Sequence, residues 1–136
     1  MAAEKREIGA KPGQYAYEGL DRTMHEKARL GILTSLASHP EGLLFNDLKE
    51  LCSLTDGNLS RHLQTLQEAG LVEVWKGYHK KRPQTLCRLS KEGRDRFMEY
   101  LAELEKVVRD AAAVRDRARK SDAARDDVLS EGWMPA

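Results

Sequence analysis

The stretch Leu51-Cys-Ser-Leu-Thr-Asp-Gly-Asn-Leu-Ser-Arg-His-Leu-Gln-Thr-Leu-Gln-Glu-Ala-Gly-Leu-Val-Glu-Val74 decides the fold. It reads as a helix end, a tight turn, a second helix, a glycine stop and a strand. Thr55 and Asp56 both carry side-chain oxygens suited to capping a helix N-terminus. Leu59, Leu63 and Leu66 recur at helical spacing and form one apolar face. Gly70 suits the left-handed position just past a helix end, and Leu71, Val72 and Val74 begin a strand. Opposite the leucines lie Gly57, Asn58, Arg61, Gln64 and Thr65, and Ser60 completes the polar set. Short polar side chains with an Arg and a Gln are what a helix needs to enter a major groove and hydrogen-bond to base edges. Arg61 is the candidate guanine reader, because a guanidinium fork matches the two acceptors on a guanine edge. His62, at the border of the leucine face, is read as a packed helix histidine.

Downstream comes Trp75-Lys-Gly-Tyr-His-Lys-Lys-Arg-Pro83, with Lys76, Lys80, Lys81 and Arg82 basic and no acidic residue. Thr85 to Leu89 reads as a return strand. Two strands joined by a basic loop containing Gly77 and Pro83 make a β-hairpin wing, whose tip would lie on phosphate or in a minor groove. The net charge of the chain is only +1. From Gly57 to Arg88, however, six basic residues face two acidic ones. A local basic patch on a near-neutral chain suits site-specific binding better than indiscriminate coating.

Upstream, Leu20 to Ser38 reads as a helix with Ala28, Ile32, Leu33, Leu36 and Ala37 inward and Leu30 pointing away, towards solvent or a second subunit. His39-Pro-Glu-Gly42 breaks it. Leu43-Leu44 is a short strand candidate that can pair with the hairpin, and Phe45 to Cys52 is a second helix with Leu48, Leu51 and Cys52 inward. After the hairpin, Ser90 caps a long helix to about Arg119, roughly 45 Å if unbroken. Phe97, Leu101, Leu104, Val108 and Ala111 alternate steps of four and three along it. A small core cannot cover that stripe, so it predicts a symmetric partner, with Leu30 added to the same interface.

The chain therefore divides into an arm (1–18), a DNA-binding domain (19–89), a dimerisation helix (90–119) and a tail (120–136) read as disordered. The fold class is mainly α with a small β-hairpin wing, a winged helix-turn-helix plus a long C-terminal dimerisation helix.

At 136 residues and 40% hydrophobic content, one modest core is available. No run of 18 apolar residues suggests a membrane span. The N-terminus lacks the apolar core of a signal peptide, and Cys52 and Cys87 read as reduced core thiols, so a cytoplasmic location is expected. The four histidines and two cysteines lack metal-ligand spacing, and no cofactor is indicated. No phosphate loop, nucleophile elbow or carboxylate pair appears, which argues against an enzyme. Trp75, Tyr78 and Tyr100 are read as hairpin packing and dimer contacts rather than as the lining of an effector pocket.

The chain resembles winged-helix transcriptional regulators of the MarR and ArsR groups, and most of all the small MarR-like proteins with one long C-terminal helix. The resemblance covers about residues 20–105. It rests on Leu20-Asp21, His25, Arg29 to Leu33, Phe45 to Leu48, Leu54 to Leu63, Glu68-Ala-Gly-Leu-Val72, Arg82-Pro83 and Leu89-Ser-Lys-Glu-Gly93. It implies a homodimer on a pseudo-palindromic operator in double-stranded DNA, most simply a repressor. Metal-sensing ArsR relatives carry a Cys-x-Cys pair where this chain has Leu44 and Asn46, so any effector is expected to be a small organic ligand or a protein partner. The competing reading is a winged-helix protein–protein interaction module that does not read DNA. The unpaired basic wing beside a polar helix face argues against it.

Overall fold

The computed structural model describes residue 9, residues 11–118 and residues 121–136, leaving aside the side chains at 123 and 124. The first helix starts later than the sequence suggests. Residues 20–26 are turns and bends, and α1 (Lys27–Ala37) begins only after Glu26. The cause is local. The Asp21 carboxylate accepts the Thr23 amide at 2.7 Å, a bond that competes with helix propagation. The Glu26 carboxylate then accepts the Ala28 and Arg29 amides and caps the helix.

The short strand β1 (Leu43–Leu44) leads directly into α2 (Phe45–Cys52). Ser53 closes α2 in the left-handed conformation, φ 53°. The Thr55 hydroxyl accepts the Asn58 amide at 3.2 Å and caps α3 (Asp56–Glu68). Gly70, at φ 77°, ends that helix without the Cβ clash another residue would meet. The strands β2 (Val72–His79) and β3 (Arg82–Leu89) follow, and the antiparallel sheet has the order β1-β3-β2. Leu43 pairs with Cys87, and the hairpin runs in register from Val72↔Leu89 to His79↔Arg82.

The wing is not the punctuated loop the sequence suggests. Strand pairing continues to its tip, and Lys80 and Lys81 alone make the turn. Both adopt left-handed backbone, φ 50° and 65°, the conformation a two-residue turn needs to match strand twist. Gly77 and Pro83 lie within the strands. His79↔Arg82 flanks the turn as a hydrogen-bonded pair. Alternation then places Pro83, opposite Tyr78, at a non-hydrogen-bonded position where its missing N–H costs nothing.

Residues up to Glu103 form one unit. Its core joins Ile32, Leu33 and Leu36 of α1, Leu48 of α2, the three leucines of α3, Leu71 just before β2, and Val72, Cys87 and Leu89 of the sheet. Each such side chain contributes about 1.5–3 kcal/mol by leaving water. The long helix α4 (Lys91–Ala118) adds Phe97 and Tyr100. Phe97 thus corrects its assignment to a dimer stripe. It is 1% exposed and stacks on Tyr100 with ring centroids 6.1 Å apart, so it has no surface left for a partner.

Ser90 caps α4 by accepting the Gly93 amide at 2.8 Å, and its hydroxyl donates to the Gly70 carbonyl at 2.7 Å. Gly93 is buried directly against the Leu71 backbone. The turns before α1 also lie along α4. Met24 is buried, His25 Nδ1 lies 2.6 Å from the Tyr100 hydroxyl, and Arg96 pairs with Asp21.

Leu104–Ala136 form the second unit. Here Leu104 and Val107 are half-buried, while Val108, Ala111 and Val114 are exposed. Where the sequence reads as a disordered tail, the structure has a further helix, α5 (Asp122–Leu129). Its acidic first turn suits a helix N-terminus. Residues 1–8 and 10, half of the expected arm, and Arg119, the expected last residue of the long helix, lie outside the described residues. Among the described residues no helix is long and apolar enough to cross a membrane.

Candidate nucleic-acid interface

The site is built on α3. With Leu59, Leu63 and Leu66 facing the core, helical geometry places Asn58, Ser60, Arg61 and Gln64 outward, and all four are exposed. Arg61 donates to the Asn58 side-chain oxygen at 3.2 Å, and Gln64 donates to Glu68 at 3.2 Å. Thr65 is half-buried, and its hydroxyl is spent on the Arg61 carbonyl at 3.2 Å. That makes it the weakest contact candidate of the set. His62 is half-buried as expected, with Nδ1 3.7 Å from the Glu26 carboxylate. Burial pushes Glu26 up, but the Arg29 and Ala28 amides and the nearby His62 and Arg29 charges outweigh it and hold the carboxyl below its ordinary value.

The single acidic residue in the first turn of α3, Asp56, is neutralised by Lys49 of α2 at 2.8 Å. On the wing, Glu73 is paired with Arg88, whose guanidinium also sits 5.5 Å from the centre of the Trp75 ring. These pairings engage Asp56 and Glu73, while the Glu68 carboxylate accepts from Gln64. Among the described residues, none of Arg61, Lys76, Lys80, Lys81 and Arg82 pairs with a carboxylate. The last three cluster at the exposed tip. Such a surface attracts a polyanion.

Between α3 and the wing lies a groove with a cavity of about 310 Å³, and it continues into one of about 450 Å³ between the start of α2 and the wing. Ser60, Gln64 and Gln67 line one side, and Val74, Lys76 and Thr85 the other. Phe45, Asn46 and Tyr78 extend it. Gln67 and Asn46 are absent from the sequence-derived site. Gln67 follows Ser60 and Gln64 at helical spacing, a signal that could have found it. Asn46 reaches the groove only because β1 docks on β3, which local sequence does not reveal.

The structure does not gather Trp75, Tyr78 and Tyr100. Tyr100 is buried beside His25 and Phe97, Trp75 is on the outer face of the hairpin with Glu73 and Arg88, and Tyr78 lines the groove. The cysteines are also separate. Cys87 is buried, which pushes its thiol up to about 11 despite nearby Lys76. Cys52 is half-buried, less enclosed than the sequence suggests, and lies 3.6 Å from the Ser35 hydroxyl. Among the described residues no group of three His, Cys, Asp or Glu side chains is arranged to hold a metal.

Residues 28–108 match the family described as winged helix DNA-binding domain. An uncharacterized protein of Methanocaldococcus jannaschii is 45% identical over 60 residues. The match covers 44% of this chain and 65% of that protein, so the chain spans less than two thirds of this relative. Among solved structures, a transcriptional regulator homologue from Pyrococcus horikoshii superposes with a TM-score of 0.63 at 26% identity, over 67% of this chain and 89% of that one. MepR of S. aureus, solved as a complex with DNA, gives 0.58 at 18% identity, over 88% and 90%. NadR in complex with 4-hydroxyphenylacetate gives 0.54 at 23% identity, over 96% and 95%. The last two likenesses are of fold.

Proposed function

The chain belongs to the winged helix DNA-binding domain family, and from that premise we propose that it is a homodimeric, sequence-specific transcriptional regulator, most simply a repressor that occludes a pseudo-palindromic operator. The observation that carries this reading is the juxtaposition of the exposed face of α3 with a carboxylate-free basic wing tip. A helix of that composition reads bases while the wing holds phosphate. Asn58, Ser60, Arg61 and Gln64 are the proposed base-edge set, Thr65 a marginal member, and Lys76, Lys80, Lys81 and Arg82 the proposed backbone set. Dimer formation would place two α3 helices one helical turn of DNA apart, ~34 Å.

Selection of bound duplexes from a random pool tests the reading. An enriched palindrome is expected, and a pool that stays random would overturn it. With the enriched duplex in hand, Arg61→Ala is expected to cost about 1–3 kcal/mol per half-site and to relax preference at one base position. If it weakens cognate and scrambled duplexes equally, Arg61 positions the helix and does not read sequence.

The proposed dimer rests on Leu30, Leu101, Leu104, Val108 and Ala111. Val108 is 61% exposed, a large apolar side chain on a helix that supplies no cover of its own. Val108→Glu together with Leu104→Lys is expected to give a monomer by analytical ultracentrifugation, with operator affinity at least about a hundredfold weaker because half-sites then bind independently. A wild-type chain that sediments as a monomer at tens of micromolar, about the highest working range, sinks the dimer proposal. By analogy with the ligand bound to NadR, an effector of this chain would be a small organic molecule.

A further inference from the structure

We infer that Arg96 is a positioning residue for the recognition helix α3, holding the helix's C-terminal end in register with α4 without itself touching DNA. The inference rests on the DNA-binding reading above and adds to it a residue outside the interface. Arg96 lies on α4, and its guanidinium bridges two elements. Nη1 donates to the carbonyl of Ala69, the residue that closes α3, at 3.0 Å, and Nη2 donates to Asp21 Oδ2 at 3.2 Å. Glu92 flanks it at 3.9 Å.

Each half of this bridge is oriented. The other Asp21 oxygen is held by the Thr23 amide at 2.7 Å, so the carboxylate cannot swing away with the guanidinium. Burial pushes Asp21 up, but the Thr23 amide and the Arg96 bond and charge outweigh it and hold the carboxyl below its ordinary value. On the other side, the last carbonyls of a helix are its negative pole, where a cation is favoured.

The leucine face of α3 fixes which side of the helix meets the core. Apolar packing is non-directional and leaves slide and tilt weakly specified. A directional bond to the terminal carbonyl removes that freedom. The chain leading from Asp21 also ends on Glu26, which touches His62 at mid-helix, so one short segment meets α3 directly at Glu26 and through Arg96 at Asp21. Only a planar fork serves both partners of the bridge at once. A lysine ammonium carries the same charge on a single point and cannot hold both geometries.

A helix that samples a second orientation binds more weakly in proportion to the fraction of time it is misplaced. Arg96→Lys and Asp21→Asn, in the full-length chain, are therefore expected to weaken binding to the selected duplex by about tenfold each, the effect of a competent fraction near one tenth. Affinity for a scrambled duplex should change less than about twofold, because non-specific binding needs charge near phosphate and not a seated helix. The slope of log affinity against log salt should stay as in wild type, and the double mutant should be no weaker than either single one.

The role is overturned if the salt slope flattens, which would make Arg96 a phosphate contact. It is equally overturned if both duplexes weaken together, if the two effects add, or if folded variants bind like wild type. Urea midpoints identify any variant that fails to fold. Asp21→Asn, which keeps the guanidinium and removes the carboxylate that anchors it, then carries the test alone. A wild-type chain that retains no duplex overturns the DNA-binding reading itself. A wild type that binds beside variants that bind equally overturns only the role of Arg96.

Discussion

Replacing Lys80 by Asn and Lys81 by Gly is expected to stabilise the protein and, in the same variant, to lower its affinity for DNA by on the order of 10²–10³-fold at physiological salt. The two effects have one structural origin. Both lysines occupy left-handed backbone, φ 50° and 65°, which costs an L-residue with a Cβ roughly 1–2 kcal/mol. Asn-Gly is the pair that fills such a turn at least cost, so the hairpin should gain about 1–2 kcal/mol. The lysines also place two charges at an exposed tip. A proposed dimer would lose four phosphate contacts, and the salt slope should flatten by up to about 3–4 units. Strain kept at a place where charge is needed is the pattern expected of a functional turn. A urea titration and a salt titration of binding check the two halves. A variant less stable than wild type refutes the strain argument, and one with the wild-type slope shows that the wing does not neutralise phosphate.

The largest loss of stability is expected from Gly93→Ala, a change of one methyl group. A Cβ at this position would overlap the Leu71 carbonyl oxygen and lie 2.7 Å from its carbonyl carbon. The obstacle is backbone, so no rotamer change relieves it. That same carbonyl accepts the Ser90 amide at 3.1 Å, which leaves it little room to move. The expected cost is about 3 kcal/mol or more, at the upper end of overpacking effects, although alanine is the better helix former. A urea midpoint within error of wild type would show that α4 can back away from the strand. Gly57→Ala is the control, since a Cβ there meets nothing within 4 Å and the exposed helix position should tolerate or welcome it.

Much of the fold was legible because its signals are local. The leucine spacing of α3, the Thr55 cap, the Gly70 stop and the Ser90 cap are each written within a few residues, and the structure has all four. The pairing of Leu43-Leu44 with the hairpin could be anticipated from the order of elements. The misreadings come from interactions that sequence proximity hides. Asp21 and Glu26 looked like ordinary residues of a longer first helix, and they became turn and cap because their carboxylates found nearer amides. Phe97 fits a heptad stripe and a core position equally well by spacing, and only packing against Tyr100 and the rest of the unit decides between them. Lys80-Lys81 carries no turn signature, so the tightness of the wing was invisible.

The candidate site was legible in composition but not in arrangement. The basic wing and the polar face of α3 could be listed residue by residue. That Arg88 is spent on Glu73, that Lys49 cancels Asp56, and that Asn46 and Gln67 reach the groove depend on contacts between separate elements. The two cysteines show the same limit. Their types suggested equal burial, yet only Cys87 is enclosed by the sheet.

The two-residue strand β1 sets an order on how the chain assembles. Its partner Cys87 follows Leu43 by 44 residues, so the pairing closes a large loop and must wait for it. The helices between them, by contrast, form from contacts within their own turns. As the chain leaves the ribosome, the residues of α1, α2 and α3 emerge before the strand that staples them. Leu43 and Leu44 stay uncovered until β3 emerges. During that interval the helical half has unpaired backbone at Leu43-Leu44 and uncovered apolar side chains, the interval in which aggregation competes with folding. Placing the hairpin immediately after α3 keeps the interval short.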